Sequence, residues 1–440
     1  MNFVASLLTK TSWSYGARCL IGMTGSRRPN WIETPFSYLY PITPQVGSKF
    51  SSVIAIQTEL EFAVTSYLKR DAKLSVSLRP PFVEVFKENP TPISVPFDLL
   101  ESLEPNAGLV GRSYSPTELV DRGIRLSDPE TAHVLFAGTT GSGKTTAMQT
   151  FLLSVAWQTD CEMFFIDLKN RGLKAISTIP QVRAFAFQPN EASLIVEYVR
   201  QQVDLRVADS SLIERSIILA VDELSEFASA GIQGVFENNF PTIARLGREL
   251  NIHIIASTQK PEASQLGGQL LQQFGARIVG RLRTSRESAD ILGRSDTGAE
   301  HLPGKGAMLY IKGGDDPIRL QAFMPDVPRM LDRLKERAPS RESVTLSSSP
   351  IPVETSIQKF DLDKDIAATK DVFASFFDPA TGTLRRGGLT RMATALGSDY
   401  GGSTITRVQK VVQVLSHQSQ AGRLETRGDP DEEFEQSVRR

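Results

Sequence analysis

Residues 138–145 read Gly138-Thr139-Thr140-Gly141-Ser142-Gly143-Lys144-Thr145 and fit the phosphate-loop pattern G-x-x-x-x-G-K-[ST] at every fixed position. Glycines in this spacing let the backbone turn tightly enough to aim several N–H groups at one anion. Lys144 adds a point charge for β- and γ-phosphates, and the Thr145 hydroxyl suits a Mg²⁺ ion. The stretch Gly138–Thr146 is therefore the expected cradle of a nucleoside triphosphate, the alternative being a glycine-rich loop with no ligand.

Two further segments carry polar groups at the ends of apolar runs. Ile217–Val221 ends in Asp222-Glu223, where the first carboxylate can anchor Mg²⁺ and the second can orient and deprotonate an attacking water. Ile252–Ser257 runs into Thr258-Gln259-Lys260-Pro261. Ligands of open α/β sheets sit at the carboxyl ends of strands, which places Gln259 near the γ-phosphate or its water. The alternatives are a solvated acidic pair and a polar turn residue.

These groups need elements to hold them. His133–Ala137 is an apolar run before the loop, and a helix starting near Lys144 would present Met148, Phe151, Leu152, Val155 and Ala156 on one face, its positive end on the phosphates. From about Leu119 to Met324 short apolar runs alternate with helical stretches, the pattern of a parallel sheet wrapped by helices. The expected strands are Val134–Ala137, Met163–Asp167, Ala184–Phe187, Ile217–Val221, Ile252–Ser257, Arg277–Leu282 and Ala307–Ile311, and Asn190 is the expected N-cap of a helix running to about Ala208.

The flanks read differently. Residues 1–50 show no sustained period and are expected to be irregular or extended. Residues 51–115 read as a small α+β module, with a helix over Ile54–Leu68 and strands at Leu74–Leu78 and Phe82–Phe86. Residues 116–335 form the main α/β domain, and 336–360 are a Ser/Pro-rich linker. Residues 361–440 have the periodicity of a small helical domain, with helices at Asp363–Phe377, Gly388–Leu396 and Thr404–His417. Three helices with a glycine-rich turn suggest a winged-helix arrangement, and Arg385, Arg386, Arg391, Arg407, Lys410, Arg423 and Arg427 make this region locally basic. A helical protein-interaction domain with solvated arginines is the alternative.

Four blocks in order, HVLFAGTTGSGKTT, FFIDLKNRGL, IILAVDELSEF and IARLGRELNIHIIASTQKP continuing into QFGARIVGRLRTSRESADILG, make residues 50–325 resemble the motor domain of FtsK/SpoIIIE-type DNA translocases. The resemblance implies a RecA-like P-loop ATPase fold and a homohexameric ring that uses ATP and Mg²⁺ to pump double-stranded DNA. By matching blocks it implies that Lys144 and Thr145 take the nucleotide, Asp222 the metal, Glu223 the water and Gln259 the sensor role. It also implies a trans-acting arginine, with Arg277 as first candidate and Arg281 as second, while Arg283 and Arg286 lie nearby. The segment RLRTSRESADILGRSDTGAEHLPGKGAMLY is also similar to the ATPase modules of type VII secretion motors, which move proteins, so that class stands as the alternative.

Composition narrows the remaining classes. The formal net charge is −1, so a polyanion must be met by local patches. Cys19 and Cys161 are far apart, which points to a reducing compartment and away from a disulfide framework. The histidines are scattered without metal-ligand spacing, and no apolar run reaches the roughly 18 residues of a membrane span. The expectation is a cytoplasmic motor without a span of its own, not a septum-anchored one.

Overall fold

The computed structural model describes residues 1–23, 29–49, 51–70, 72–78, 81–114, 119–259, 268–294, 297–337, 344, 362–378 and 383–384. The chain divides into two compact units, Met1–Ser348 and Ser349–Arg440.

The first unit opens with α1 (Asn2–Ser14), β1 (Cys19–Ile21), β2 (Ile32–Glu33), β3 (Ser37–Pro44), α2 (Ser51–Ile54), α3 (Gln57–Leu68), β4 (Leu74–Leu78) and β5 (Pro81–Phe86). These strands make one antiparallel sheet in the order β1-β3-β5-β4, with β2 on β3. The irregular segment expected over residues 1–50 is thus corrected: it supplies a helix and three strands of this sheet. Hydroxyl residues masked the helix, because Thr11 and Ser12 share its buried side with Val4, Ala5 and Leu8. The helix expected over Ile54–Leu68 is interrupted at Ala55–Ile56, which leaves Ile54 exposed while Val53 and Ile56 enter the core.

The chain continues through β6 (Ile93–Ser94), α4 (Phe97–Glu101), β7 (Ala107–Tyr114), β8 (Leu119–Arg125), β9 (Val134–Ala137), α5 (Lys144–Gln158), β10 (Cys161–Ile166) and β11 (Val182–Ala186). It then forms α6 (Pro189–Ala208), β12 (Ser216–Val221), α7 (Glu226–Ser229), α8 (Gln233–Gly247), β13 (Ile252–Thr258), α9 (Gly268–Gln273), β14 (Ala276–Val279), α10 (Ser285–Leu292), β15 (Ala307–Lys312), β16 (Ile318–Met324) and α11 (Val327–Arg337). An 11-stranded sheet runs β11-β10-β12-β13-β9-β14-β15-β16-β7-β8, with β6 beside β16. The six strands from β11 to β14 are parallel, and β14 to β8 pair antiparallel. Strand β7 therefore extends the large sheet, upstream of the boundary read at residue 115. Pro189 opens α6 with Gln188 as its N-cap, one position or two before the expected Asn190, because proline's fixed φ suits the first helical position.

Alternating side chains send Leu135 and Ala137 of β9 to one face of the sheet and Val134 and Phe136 to the other. The first face is covered by α6 and α8, the second by α5. Helix α5 is buried well beyond the single face expected, because β7, β16, α4 and α11 close over it. A Cβ at Gly108 of β7 would lie 2.4 Å from the Phe151 ring, so only glycine admits the strand this close to α5.

The antiparallel sheet is tied to the large one through Arg319 of β16, whose Nε donates to the buried Glu84 carboxylate. Glu84 also accepts from Ser37 Oγ at 2.7 Å. The second unit contains α12 (Leu362–Phe376), close to the helix expected there, and a short antiparallel pair of β17 (Phe377–Asp378) and β18 (Thr383–Leu384). The Phe373 and Phe377 rings stack with centroids 4.7 Å apart. The helices expected at Gly388–Leu396 and Thr404–His417 and the basic face lie outside the described residues, as does nearly all of the linker. Among the described residues no helix is long and apolar enough to cross a membrane.

Candidate nucleotide site

The carboxyl ends of β9, β10, β12 and β13 lie along one edge of the sheet and bring the expected groups together. From β9 the loop passes Gly138, whose amide donates to Thr258 O at 3.2 Å, and Thr139, whose N–H and Oγ1 both donate to Arg281 O at 2.9 and 3.0 Å. Gly143 has φ 96°, and a Cβ there would lie 2.6 Å from Gly306 N. Lys305 and Gly306 donate their amides to Gly141 O and Ser142 O at 3.0 and 2.8 Å, so the turn before β15 braces the phosphate loop from outside. Helix α5 then starts at Lys144, with its unpaired first-turn amides pointing back into the loop.

Lys144 is buried, and its Nζ donates to Ser257 Oγ at 3.0 Å. The same ammonium lies 3.6 Å from Glu223 Oε2 and 3.9 Å from Asp222 Oδ1. Asp222 Oδ1 accepts from Ser257 Oγ at 2.6 Å. Burial raises the Asp222 carboxyl above the usual range, while Lys144 and Ser257 pull it back down and Asp167 and Glu223 push it up.

Glu223 adopts φ 64°, a left-handed conformation that costs a non-glycine residue on the order of 1–3 kcal/mol. The surroundings hold it there. Its amide donates to Ser257 Oγ at 3.0 Å, and the next amide, Leu224 N, donates to Ser257 O at 2.8 Å. Its Oε1 accepts from Ser225 Oγ at 2.7 Å and from the Gln259 amide at 3.0 Å. Gln259 in turn accepts from Thr140 Oγ1 at 3.0 Å through its side-chain carbonyl. Lys144, Asp222, Glu223, Gln259 and the loop are thus one connected constellation.

Two groups not singled out in the sequence join it. Ser257 touches Lys144, Asp222 and Glu223, yet it reads in sequence as the last residue of an apolar strand. Asp167, at the carboxyl end of β10, is buried; its Oδ2 accepts from Arg171 N and Leu173 N at 2.8 and 2.9 Å, while Oδ1 has no hydrogen-bond partner among the described residues. The rule that found Asp222, a polar residue ending an apolar run, also marks Asp167. The turn it anchors brings Gly172 so close that a Cβ there would lie 2.2 Å from Asp222 Oδ2 and 3.2 Å from Thr145 Cγ2. The Asp222 carboxylate and the Thr145 methyl thus both border Gly172.

Mg²⁺ fits this donor set. Asp167 and Glu223 act electrostatically on Asp222, and Lys144 lies beside it. Since no three acidic or histidine side chains among the described residues form a metal cage, the protein would offer the one or two oxygens that Mg²⁺ usually takes beside phosphates and water.

Arg277, expected as the arginine that reaches a neighbour's site, has its guanidinium engaged within its own chain. Its guanidinium donates to Phe274 O at 2.9 Å, Ile291 O at 2.7 Å and Leu271 O at 3.1 Å, spending its donors on carbonyls at the ends of α9 and α10. Burial lowers its pKa, as it must for a cation held among neutral carbonyls. The side chains of Arg281, Arg283 and Arg286, by contrast, are exposed.

Comparison with known proteins agrees with this architecture. Residues 115–300 match the FtsK/SpoIIIE family. Among relatives, the chain is 24% identical over 367 residues to DNA translocase FtsK of Oceanobacillus iheyensis, covering 74% of this chain and 45% of that protein. It is 24% identical over 356 residues to DNA translocase SpoIIIE of Bacillus subtilis, covering 72% and 44%. The chain thus spans less than half the length of these relatives. Among solved structures, the monomer form of the pCW3 conjugation coupling protein TcpA with ATPγS superposes with a TM-score of 0.51 at 19% identity, covering 77% of this chain and 99% of that one. That likeness is one of fold.

Proposed function

Residues 115–300 being an FtsK/SpoIIIE family domain, we propose that the chain is an ATPase that drives double-stranded DNA translocation as a homohexameric ring, with hydrolysis at subunit boundaries. The observation that carries the reading is the single hydrogen-bonded constellation of Lys144, Asp222, Glu223 and Gln259 at the sheet edge under the phosphate loop.

In this reading the amides of Gly141–Thr145 and the first turn of α5 receive the phosphates, and Lys144 turns from Ser257 toward the β- and γ-oxygens. Thr145 and Asp222 hold Mg²⁺, which when bound neutralises developing charge on the transferred phosphoryl group. Glu223 aligns a water and takes its proton; the strained backbone and the Gln259 amide keep its carboxylate in one orientation. Gln259 connects that carboxylate to Thr140, so a change at the phosphates can reach the β13 loop. The trans-acting arginine is assigned to the exposed residues after β14, Arg281 first, since Arg277 is occupied.

The test is ATP turnover by the purified chain with and without linear duplex DNA. Strong stimulation by DNA is expected; indifference to DNA would move the protein-secretion reading to first place.

A further inference from the structure

We propose that Ser257 is a positioning residue of the site, one hydroxyl that orders Asp222 and Glu223 for hydrolysis and holds Lys144 until phosphate arrives. The proposal rests on the ATPase reading. A serine hydroxyl has one proton to give and two lone pairs. Here all three are used: it accepts from Lys144 Nζ at 3.0 Å and from Glu223 N at 3.0 Å, and it lies 2.6 Å from Asp222 Oδ1. An ammonium and an amide can only donate, so the hydroxyl proton must point at Asp222.

That fixed direction has two consequences. Asp222 is held through Oδ1, which leaves Oδ2 on the Gly172 side as the oxygen offered to the metal of the ATPase reading. Glu223, at φ 64°, is clamped on both sides, its own amide by Ser257 Oγ and the following amide by Ser257 O. Ser257 is fully buried, so water cannot replace the hydroxyl without rearrangement. The third bond works against ligand capture: Lys144 must leave Ser257 to reach the phosphates.

A merely structural serine would weaken binding, stability and turnover together when lost. A positioning serine separates them. Ser257→Ala should lower kcat by about 10- to 100-fold, the scale of a misplaced catalytic group. It should bind ATPγS at least as tightly as the parent chain, because Lys144 loses its hydrogen-bonded partner and keeps only the longer contacts to Asp222 and Glu223. Ser257→Cys, close in size but a weak hydrogen-bonding group, should behave like alanine, and Ser257→Thr, which keeps the hydroxyl, should recover most of the turnover. Parent-like kcat in Ser257→Ala overturns the proposal, as does a parallel loss of ATPγS affinity and melting temperature in both Ala and Cys variants. Glu223→Gln is the control for the reading beneath it. If the parent's turnover survives Glu223→Gln, the hydrolytic assignment fails by itself, while the affinity comparison still decides whether Ser257 restrains Lys144.

Discussion

The amide of Gln259 donates to both carboxylate oxygens of Glu223, at 3.0 and 3.2 Å, while the Gln259 side chain accepts from Thr140 of the phosphate loop at 3.0 Å. Backbone and side chain of one residue therefore do different jobs. The backbone bond is indifferent to substitution and the side-chain bond is not.

Gln259→Ala should accordingly keep Glu223 in place and lose only the link to the loop. Expected is a fall in turnover of about tenfold with ATP affinity little changed, whereas Glu223→Gln should bind ATP and lose about 10²- to 10⁴-fold, the contribution of a general base. Lys144→Ala should fail to bind nucleotide at all. Steady-state kinetics and equilibrium binding on the three variants separate these outcomes; normal turnover by Glu223→Gln removes that residue from the water.

Arg277 and Arg281 should behave as opposites. Removing Arg277 takes its donors from the Phe274, Ile291 and Leu271 carbonyls, of which Leu271 O keeps the Phe274 amide at 3.2 Å, so Arg277→Ala should melt below the parent and lose activity through the fold. Arg281→Ala should melt normally and lose turnover on the order of 10³-fold, the low end for an arginine finger. Mixing inactive Arg281→Ala with inactive Lys144→Ala chains should restore activity through composite sites. No recovery in mixtures that exchange subunits would pass the role to Arg283 or Arg286.

Acid should destabilise the sheet through its buried histidines. Burial pushes His133 down to about 3 and His253 to about 4. The His133 ring is set for the neutral form: its Nδ1 accepts from Ile254 N at 3.0 Å, and its Nε2 lies 2.7 Å from Ala244 O. In the unfolded chain both rings take protons near pH 6.5, so below that value the unfolded state binds more protons and stability falls with pH, by about 1.4 kcal/mol per unit for each ring. The loss should continue until pH nears the folded values. Chemical denaturation between about pH 7 and pH 5 measures it; a flat profile would mean that the rings are already charged in the fold.

Much of the sheet was legible because its central strands are short, continuous apolar runs buried on both faces, and each site residue ends one of them. Asp222, Glu223 and Gln259 follow from that rule, and Lys144 from the phosphate-loop spacing. Ser257 was not singled out, since a serine closing the apolar strand reads as part of it until β12 and β13 are paired. The Lys305–Gly306 brace was equally hidden, as it depends on a turn about 160 residues downstream folding back on the loop. The partners of Arg277 were hidden because they are carbonyls, which every residue has, and only the folding of α9 and α10 around it brings Leu271, Phe274 and Ile291 into reach. The opening segment was missed because its helix buries hydroxyls, β1 and β2 are short, and the eight residues of β3 include two prolines and do not alternate strictly between buried and exposed.

The last prediction concerns residues 361–440, whose basic positions Arg385, Arg386, Arg391, Arg407, Lys410, Arg423 and Arg427 follow α12. If they meet DNA, a chain ending at residue 360 should bind duplex more weakly and with a shallower salt dependence. Each lost phosphate contact lowers the slope of log K against log salt by about 0.9. The motor would make its own backbone contacts, so part of the DNA-stimulated turnover should survive the deletion. Sequence reading asks for more, because phosphate contacts carry no sequence information. The expected helix starts near Thr404, which sets Arg407 and Lys410 in its first two turns, the part of a recognition helix that enters a major groove. Arg407→Ala should then relax any preference among duplexes, and substitution of Arg427, outside that helix, should weaken all of them alike. Fluorescence anisotropy across a salt series on mixed duplexes reads both effects. An unchanged slope after deletion would make the region a protein-interaction module, and a changed slope without preference would make it a nonspecific tether.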